Sequence, residues 1–382
     1  MQGKKGSILI VDDSTTNLAI LGAILSERSE YVLMTAETGE EAIRQAERNL
    51  PDLVLLDIVI PDIDGYEVAR RLQADERTRN IAIIFITSLN DPEDKAKAFQ
   101  VGGIDYITKP FNHLEVLSRV DAHIRLRRQY EHIAELRGEI AEELVLAQKI
   151  QKSIMPRRSF SFPPLQAACV YLPYGSIGGD FFDVIDIGGG RTLSIVVDVT
   201  GHGIPAALYT MLLKANLLYS SHQITSAAEY MARLNRSLCQ TMEEGFYPSA
   251  IALLVDTRSM RLSYVNAAHP YPLYHPHDGK PRFLQVTNTI LGVSPDTTFE
   301  EETVALFPGD RILVYTDGLM GLTCRDGSVT DVDTVRFEAE RCAAPSMEAR
   351  LAQLAERIKA YSQEGRFEDD VTLLGLEITR GA

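Results

Sequence analysis

Residues 176–183 read Ser-Ile-Gly-Gly-Asp-Phe-Phe-Asp (SIGGDFFD), and the nature of this stretch decides the fold of everything after residue 160. Gly-Gly-Asp ahead of an aromatic pair suits a nucleotide-binding turn, a turn carrying the first ligand of a metal site, or a plain tight turn between strands. The residues on either side separate the three.

Strand-like runs follow it, namely LSIVVDVTG, AIALLVDT, RLSYVNAA and DRILVYTDG, joined by glycine-rich turns. GIPAALYTMLLKANLLYS, SAAEYMARLNRSLCQTME and SMEARLAQLAERIKAYS carry helical spacing. Strands in meander with a few helices predict an α+β sandwich flanked by helices. Acidic residues recur where these strands end: Asp180 in IGGD, Asp198 in VVDVTGHG, Asp317 in YTDG, and Asp369-Asp370 in EDDVTLL. Any one of them alone is ordinary turn chemistry. Together, each closing a strand-like run with no His or Cys between, they point to Mg²⁺ or Mn²⁺ rather than zinc. Two such ions close together bind a phosphate ester and activate a water for in-line attack.

Residues 7–122 follow a different rule. SILIVDD, DLVLLDI and IAIIFITS are short β-branched runs of the kind that fill a parallel sheet covered on both faces. TTNLAILGAILSE and GEEAIRQAERN between them are helical, punctuated by Gly39 and Pro51. The alternation predicts an α/β, doubly wound domain of flavodoxin-like type, whose ligands gather at the carboxyl ends of the strands. Asp12, Asp13, Asp57, Thr87, Ser88 and, before Pro110, Lys109 fall there. Three converging carboxylates repel one another unless a cation shares the site, and hard oxygen ligands favour Mg²⁺. A carboxylate so placed can attack phosphorus to give an aspartyl phosphate, with Thr87 and Lys109 on the phosphoryl oxygens.

Between the two segments runs a charged helix. Leu126, Ile133, Ile140, Ala147 and Ile154 recur at seven-residue spacing, with Tyr130, Leu136, Leu144 and Ile150 three or four residues after members of that series. This is the seam of a dimeric coiled coil, against the alternative of one long helix packed on its own domain. Met155-Pro156 ends it.

At 382 residues two domains are expected, and 45% hydrophobic with 24% charged residues is the balance of a globular protein. A formal net charge of −15 argues against a nucleic-acid binder, and no helix-turn-helix pattern closes the chain. No apolar run reaches membrane-spanning length, and MQGKKGSILIVDD reads as a first strand, so no membrane association and a cytoplasmic location are expected. The four cysteines form no CxxC pair and read as reduced structural thiols.

LIVDDS, VLLDIVIPDIDGYEVAR, IIFITS and GIDYITKPF resemble the receiver domain of two-component response regulators. The resemblance implies phosphorylation at Asp57 by a cognate sensor histidine kinase, and Mg²⁺ held by Asp12, Asp13, Asp57 and the Val59 carbonyl. It also implies switching through Thr87 and Tyr106 and a cis peptide before Pro110. Ile60 and Gly103-Ile104 depart from the family pattern without touching its chemistry.

From about residue 145 onward the chain resembles PP2C-like serine/threonine phosphatases of the sporulation and stress-response type. The stretches that carry this are AQKIQKSIMP, GGDFFDV, DVTGHGIPAAL, YVNAAHPYPLY, LFPGDRILVYTDG and EDDVTLL. The resemblance implies two Mn²⁺ or Mg²⁺ ions bridged by Asp198. Asp317 and Asp369 (or Asp370) would hold one ion, the Val199 carbonyl the other, and Asp180 would bind directly or through water. His202 either protonates the leaving oxygen, orients a water, or caps the helix at Ile204-Pro205. His269 in NAAHP reads as structural. Gly321 after the TDG turn, AAH in place of Ala-Gly-His, and the insert CRDGSVTDVD are departures that bear on substrate docking rather than metal binding.

The expected organisation is a receiver over 1–122, a helical coiled-coil linker over 123–156 and a PP2C-like phosphatase domain over 157–382. The expected activity is hydrolysis of phosphoserine or phosphothreonine on an anti-sigma-factor antagonist or similar phosphoprotein, by a homodimer joined through the linker. The alternative is a receiver-controlled adaptor with an inactive phosphatase-like scaffold. A dinucleotide cyclase would need metal and guanine-binding residues upstream of Asp180. FPPLQAACVYLPYG supplies none, and that reading leaves VTGHG and YTDG unexplained.

Overall fold

The computed structural model describes residues 6–28, 31–88, 92–201, 203–220, 224–243, 245–324 and 327–379. The chain divides into two compact units between Ile140 and Ala141.

The first unit alternates strands and helices. In chain order these are β1 (Gly6–Val11), α1 (Thr15–Ser26), β2 (Tyr31–Ala36), α2 (Gly39–Asn49), β3 (Leu53–Asp57) and α3 (Gly65–Ala74). They continue with β4 (Ala82–Thr87), α4 (Pro92–Gln100), β5 (Asp105–Thr108) and α5 (His113–Ile154). All five strands are parallel, in the order β2-β1-β3-β4-β5. Every residue of β3 is buried, because helices cover both faces of the sheet. Leu9, Val11, Val54 and Leu56 pack on one face and Ile8, Ile10, Leu53 and Leu55 on the other. Ser14, Thr38 and Asp64 start α1, α2 and α3, each side chain accepting a backbone N–H three residues on. This is the flavodoxin-like architecture the strand–helix alternation implies. The peptide before Pro110 is cis, as is Pro163-Pro164.

Helix α5 runs for 42 residues without a break. Val116, Val120 and Ile124 bury against the first unit. Leu126, Tyr130, Ile133, Leu136 and Ile140 are then exposed. Beyond the unit boundary Leu144, Ala147 and Ile154 are half-buried and Gln151 is buried. The apolar seam is therefore open over its first part and partly covered by its own chain over its last turns.

The second unit is a sandwich of two antiparallel sheets. Its elements begin with β6 (Ser159–Phe162), β7 (Leu165–Leu172), β8 (Asp180–Gly188), β9 (Arg191–Asp198), α6 (Ile204–Ser220) and α7 (Ala227–Thr241). There follow β10 (Ser249–Asp256), β11 (Arg261–Ala267), β12 (Leu273–His275), β13 (Arg282–Phe283), β14 (Glu302–Ala305) and β15 (Arg311–Tyr315). The chain ends in α8 (Val332–Glu340), α9 (Met347–Lys359) and β16 (Val371–Ile378). One sheet has the order β14-β11-β10-β9-β8 and the other β13-β12-β15-β16-β7-β6.

The pleat distributes the core. Phe182, Val184 and Val196 point between the sheets to meet Val314, Leu374 and Leu376. Phe181, Leu193 and Val197 point the other way, under Leu213 and Leu217 of α6 and Leu234 of α7. On the far side, Tyr315 and Leu373 carry Leu351, Leu354 and Ile358 of α9. Helices thus close both outer faces, the flanked sandwich expected from the sequence. Among the described residues no helix is long and apolar enough to cross a membrane.

Candidate metal and phosphoryl-transfer sites

At the carboxyl ends of β1 and β3, single carboxylate oxygens of Asp12, Asp13 and Asp57 lie within 4.8 Å of one another. Asp12 is fixed by the Ser14 N–H at 2.9 Å and by the Asn17 amide at 2.9 and 3.0 Å. Lys109 reaches across from the end of β5, its Nζ 2.9 Å from Asp12 and 2.6 Å from Asp57. Burial raises the Asp57 carboxyl above its ordinary range while Lys109 opposes the shift. The Val59 N–H donates to Asp57 at 3.3 Å, and Val59 itself is exposed. Thr87 is buried at the end of β4. Tyr106, on neighbouring β5, is half-buried, with Phe99 edge-on at 6.4 Å and Arg119 over its ring at 5.6 Å. Three oxygen ligands and a bridging ammonium show a pocket built for positive charge, and the donor set fits Mg²⁺.

In the second unit the strand ends bring the other carboxylates together. Asp180 and Asp198 are directly paired in the β8–β9 register. Asp180 is buried, and its Oδ2 accepts from the Thr316 hydroxyl at 2.9 Å and the Thr372 hydroxyl at 2.7 Å. Burial and then the Asp198 charge push its carboxyl well above the usual range. Asp198 is raised to about 7 by burial, followed by the charges of Asp317, Asp369 and Asp370. Asp317 is raised by desolvation and then by Asp369, and both are exposed at the rim.

Asp370 is placed differently. Its Oδ1 accepts from the Tyr174 N–H at 2.7 Å and its Oδ2 from the Gly179 N–H at 2.6 Å. It holds the Gly-Gly turn, leaving Asp369 on the open side. The turn comes so close that a Cβ on Gly178 would sit 2.6 Å from the Asp370 carboxylate and 2.2 Å from the Tyr171 hydroxyl. A Cβ on Gly318 would meet the Asp370 carbonyl at 2.0 Å. Both positions require glycine for that reason.

Among the described residues only Asp12, Asp13 and Asp57 gather three ligand atoms so tightly. Among the described residues the carboxylates of the second unit are spaced more widely than this. Its all-oxygen donor set, in which the charges of Asp317, Asp369 and Asp370 disfavour ionisation of Asp198, fits Mg²⁺ or Mn²⁺. Val199 is buried directly after Asp198. His202 lies outside the described residues.

The insert after the TDG turn folds back on it. The Gly321 N–H donates to the Thr330 carbonyl at 2.9 Å and the Cys324 N–H to the Ser328 carbonyl at 2.8 Å.

Several supporting residues carried no signal of their own. Thr316 and Thr372 sit inside YTDG and DDVTLL, one residue before Asp317 and two residues after Asp370, and that nearness to an acid was their only clue. Gln151 of α5 donates to the Gly178 carbonyl at 2.7 Å, and its Oε1 accepts the Gly178 N–H at 3.3 Å. Asp183, the last residue of SIGGDFFD, is buried and paired at 2.5 Å with Lys214 of α6.

His269 is structural in placement. It is buried, its Nδ1 lies 2.9 Å from the Ser249 hydroxyl, and its backbone is locked to Asn266. Burial pulls its imidazole down to about 3. The unfolded chain, with an ordinary histidine near 6.5, binds more protons below that pH, so this contribution is complete above 6.5 and lost on acidification. The stability difference between the natural chain and His269→Asn should therefore shrink by about 2 kcal/mol from pH 7 to pH 5. Urea unfolding at the two pH values measures it, and a constant difference would contradict a buried neutral imidazole.

Comparison with known proteins agrees with the two folds. Residues 8–121 match the response regulator receiver domain, and residues 188–379 match the family described as Stage II sporulation protein E (SpoIIE). Phosphoserine phosphatase RsbP of Bacillus subtilis (strain 168) is 34% identical over 185 residues, 47% of this chain and 46% of that protein. Alkaline phosphatase synthesis transcriptional regulatory protein PhoP of the same organism is 40% identical over 118 residues, 31% of this chain and 48% of that protein. The solved SiaA-PP2C domain of Pseudomonas aeruginosa shares the fold with a TM-score of 0.57 at 22% identity, covering 64% of this chain and 99% of that one. The chain spans about a quarter to about a half of the length of the curated relatives it matches. With more than half of its residues matched, and a receiver domain ahead of them, the chain belongs to the Stage II sporulation protein E (SpoIIE) family of PP2C-like phosphatase domains.

Proposed function

We propose that this protein is a response regulator whose phosphorylation on Asp57 controls metal-dependent hydrolysis of phosphoserine or phosphothreonine on a regulatory protein. The observation that carries the reading is the convergence of Asp198, Asp317 and Asp369 at strand ends, close enough that the Asp317 and Asp369 charges add to burial in raising Asp198. Bound Mg²⁺ or Mn²⁺ supplies charge neutralisation at the phosphoryl oxygens and acidifies a water for in-line attack. Asp198 would serve both ions, Asp317 and Asp369 would hold one, and the Val199 carbonyl would hold the other. Asp180 orients the set from below, fixed by Thr316 and Thr372, and Asp370 positions the Gly-Gly turn. In the receiver, Asp12, Asp13, Asp57 and the Val59 carbonyl would hold Mg²⁺. Lys109 and Thr87 bind the phosphoryl group, and Tyr106 switches with it. Residues 1–122 act as receiver, 123–156 as linker and 157–382 as phosphatase.

A sensor histidine kinase is the expected phosphodonor and an anti-sigma-factor antagonist the expected substrate class, a reading that the name of the relative RsbP supports for phosphoserine. The deciding assay is Mn²⁺-dependent hydrolysis of a phosphoserine protein by the natural chain and Asp317→Asn. Activity in the first and its loss in the second is expected. No metal-dependent activity in the natural chain would favour the adaptor reading.

The exposed face of α5 from Leu126 to Ile140 is proposed to pair with the same helix of a second copy. Ile133→Glu places a charge in that seam and should convert a dimer to a monomer in sedimentation equilibrium. An unaltered mass would place dimerisation elsewhere.

A further inference from the structure

The outer face of the six-stranded sheet carries a second concave feature, remote from the metal stations. Arg311 opens β15, and the six residues from there to Asp317 span roughly 20 Å of extended chain. Between β12 and β15 on one side and α8 and α9 on the other lies a cleft of about 60 Å³. Leu313, Met347 and Leu354 give it apolar walls, and His275, Arg311 and Arg350 enter it.

The cations are held in place. Arg311 and His275 are cross-strand partners, and Arg311 donates from Nη2 to His275 Nδ1 at 3.1 Å. That bond needs a neutral imidazole, and burial followed by the Arg311 charge lowers the His275 pKa accordingly. Arg350 donates from Nε to the Ala344 carbonyl at 2.6 Å, which leaves the outer end of its fork directed elsewhere. Among the described residues neither guanidinium lies within 4.0 Å of a carboxylate. Glu377, opposite Arg311 in the β15–β16 register, and Glu340, near His275, act only at longer range. Burial and then the Arg350 charge pull Arg311 below its usual range despite Glu377. Two half-buried cations that repel each other beside an apolar slot are unfavourable unless an anion completes them.

We propose that this cleft binds a small monoanion with a short apolar tail, a short-chain carboxylate held between Arg311 and Arg350 with its chain along Leu313, Met347 and Leu354. Planar guanidinium forks match a carboxylate bidentately. The apolar walls discriminate against inorganic phosphate, and the volume is too small for an extended peptide.

Calorimetric titration of the full chain tests this with three probes. Hexanoate carries charge and tail, 1-hexanol the tail alone, and inorganic phosphate charge alone. Hexanoate should bind at least tenfold more tightly than either, and Arg311→Gln or Arg350→Gln should weaken it about tenfold or more. In the unmutated chain, the ¹³C-methyl signal of Met347, assigned with Met347→Leu, should move as hexanoate is added. Three results overturn the proposal: 1-hexanol matching hexanoate, an Arg350→Gln variant of unchanged melting temperature binding hexanoate undiminished, or a Met347 signal unmoved at saturation. Binding is read without hydrolysis, so the result is independent of the phosphatase reading.

Discussion

Asp198→Asn is expected to lower Mn²⁺-dependent phosphoserine hydrolysis by about 10²–10³-fold while making the metal-free chain more stable. The first effect follows from the position of Asp198, paired with Asp180 and facing Asp317 and Asp369. Metal stabilisation of a phosphoryl transition state is worth several kcal/mol, and each 1.4 kcal/mol is about tenfold in rate. The second effect follows from the same crowding. An acid whose folded pKa is raised to about 7, against about 4 when unfolded, loses stability progressively as pH rises through that window. Asparagine removes the charge that burial and three neighbours disfavour, so the gain should be about 1–3 kcal/mol at pH 8 in chelator and vanish below pH 4. Rate measurements across a Mn²⁺ titration, paired with urea unfolding in chelator, read both. A variant that hydrolyses at the natural rate would remove Asp198 from the reaction.

Asp57→Asn should abolish phosphoryl incorporation from acetyl phosphate. In that reaction an Asp57 carboxylate oxygen forms the new bond to phosphorus as the bond to the acetate oxygen breaks, and acetate leaves. Lys109 touches both Asp57, at 2.6 Å, and Asp12, at 2.9 Å, but Asp12 is also tied down by Ser14 and Asn17. Phosphate-affinity electrophoresis after incubation with Mg²⁺ and acetyl phosphate shows the product directly. Any change that acetyl phosphate makes in the hydrolysis rate should disappear in the variant as well. Persistent incorporation would move the acceptor to another side chain.

The two folds were legible because each element announces itself locally. The runs LVLLD and AIIFIT have the β-branched continuity of strands buried on both faces, and the structure buries them so. DVTGHG and YTDG close β9 and β15 as expected, whereas GGD and EDD open β8 and β16 rather than ending a strand. Relations across the sandwich were not legible. The hold of Thr316 and Thr372 on Asp180 joins residues 136 and 192 positions apart, and periodicity carries nothing over that distance. The pairing of Asp183 with Lys214 was invisible for the same reason. The distinct duties of Asp369 and Asp370 depend on which oxygen meets the Gly179 N–H, something two adjacent identical letters cannot encode. In α5 the heptad spacing identified an apolar seam but could not tell which turns its own chain would cover.

The grip of Thr316 and Thr372 on Asp180 also bears on how such a domain can decay over evolution. Asp180 belongs to one sheet and its two hydroxyl partners to the end of the other, so this carboxylate fastens the layers together as well as serving the site. Losing it leaves the buried Thr372 hydroxyl without its acceptor, which costs about 1–3 kcal/mol, while Thr316 keeps its contacts to the Asp370 carbonyl and the Thr372 N–H. Asp317 and Asp369 stand exposed, where water can take over the backbone N–H groups their carboxylates release. Descendants that abandon hydrolysis but keep the domain for binding should therefore shed Asp317 or Asp369 first and retain Asp180 longest.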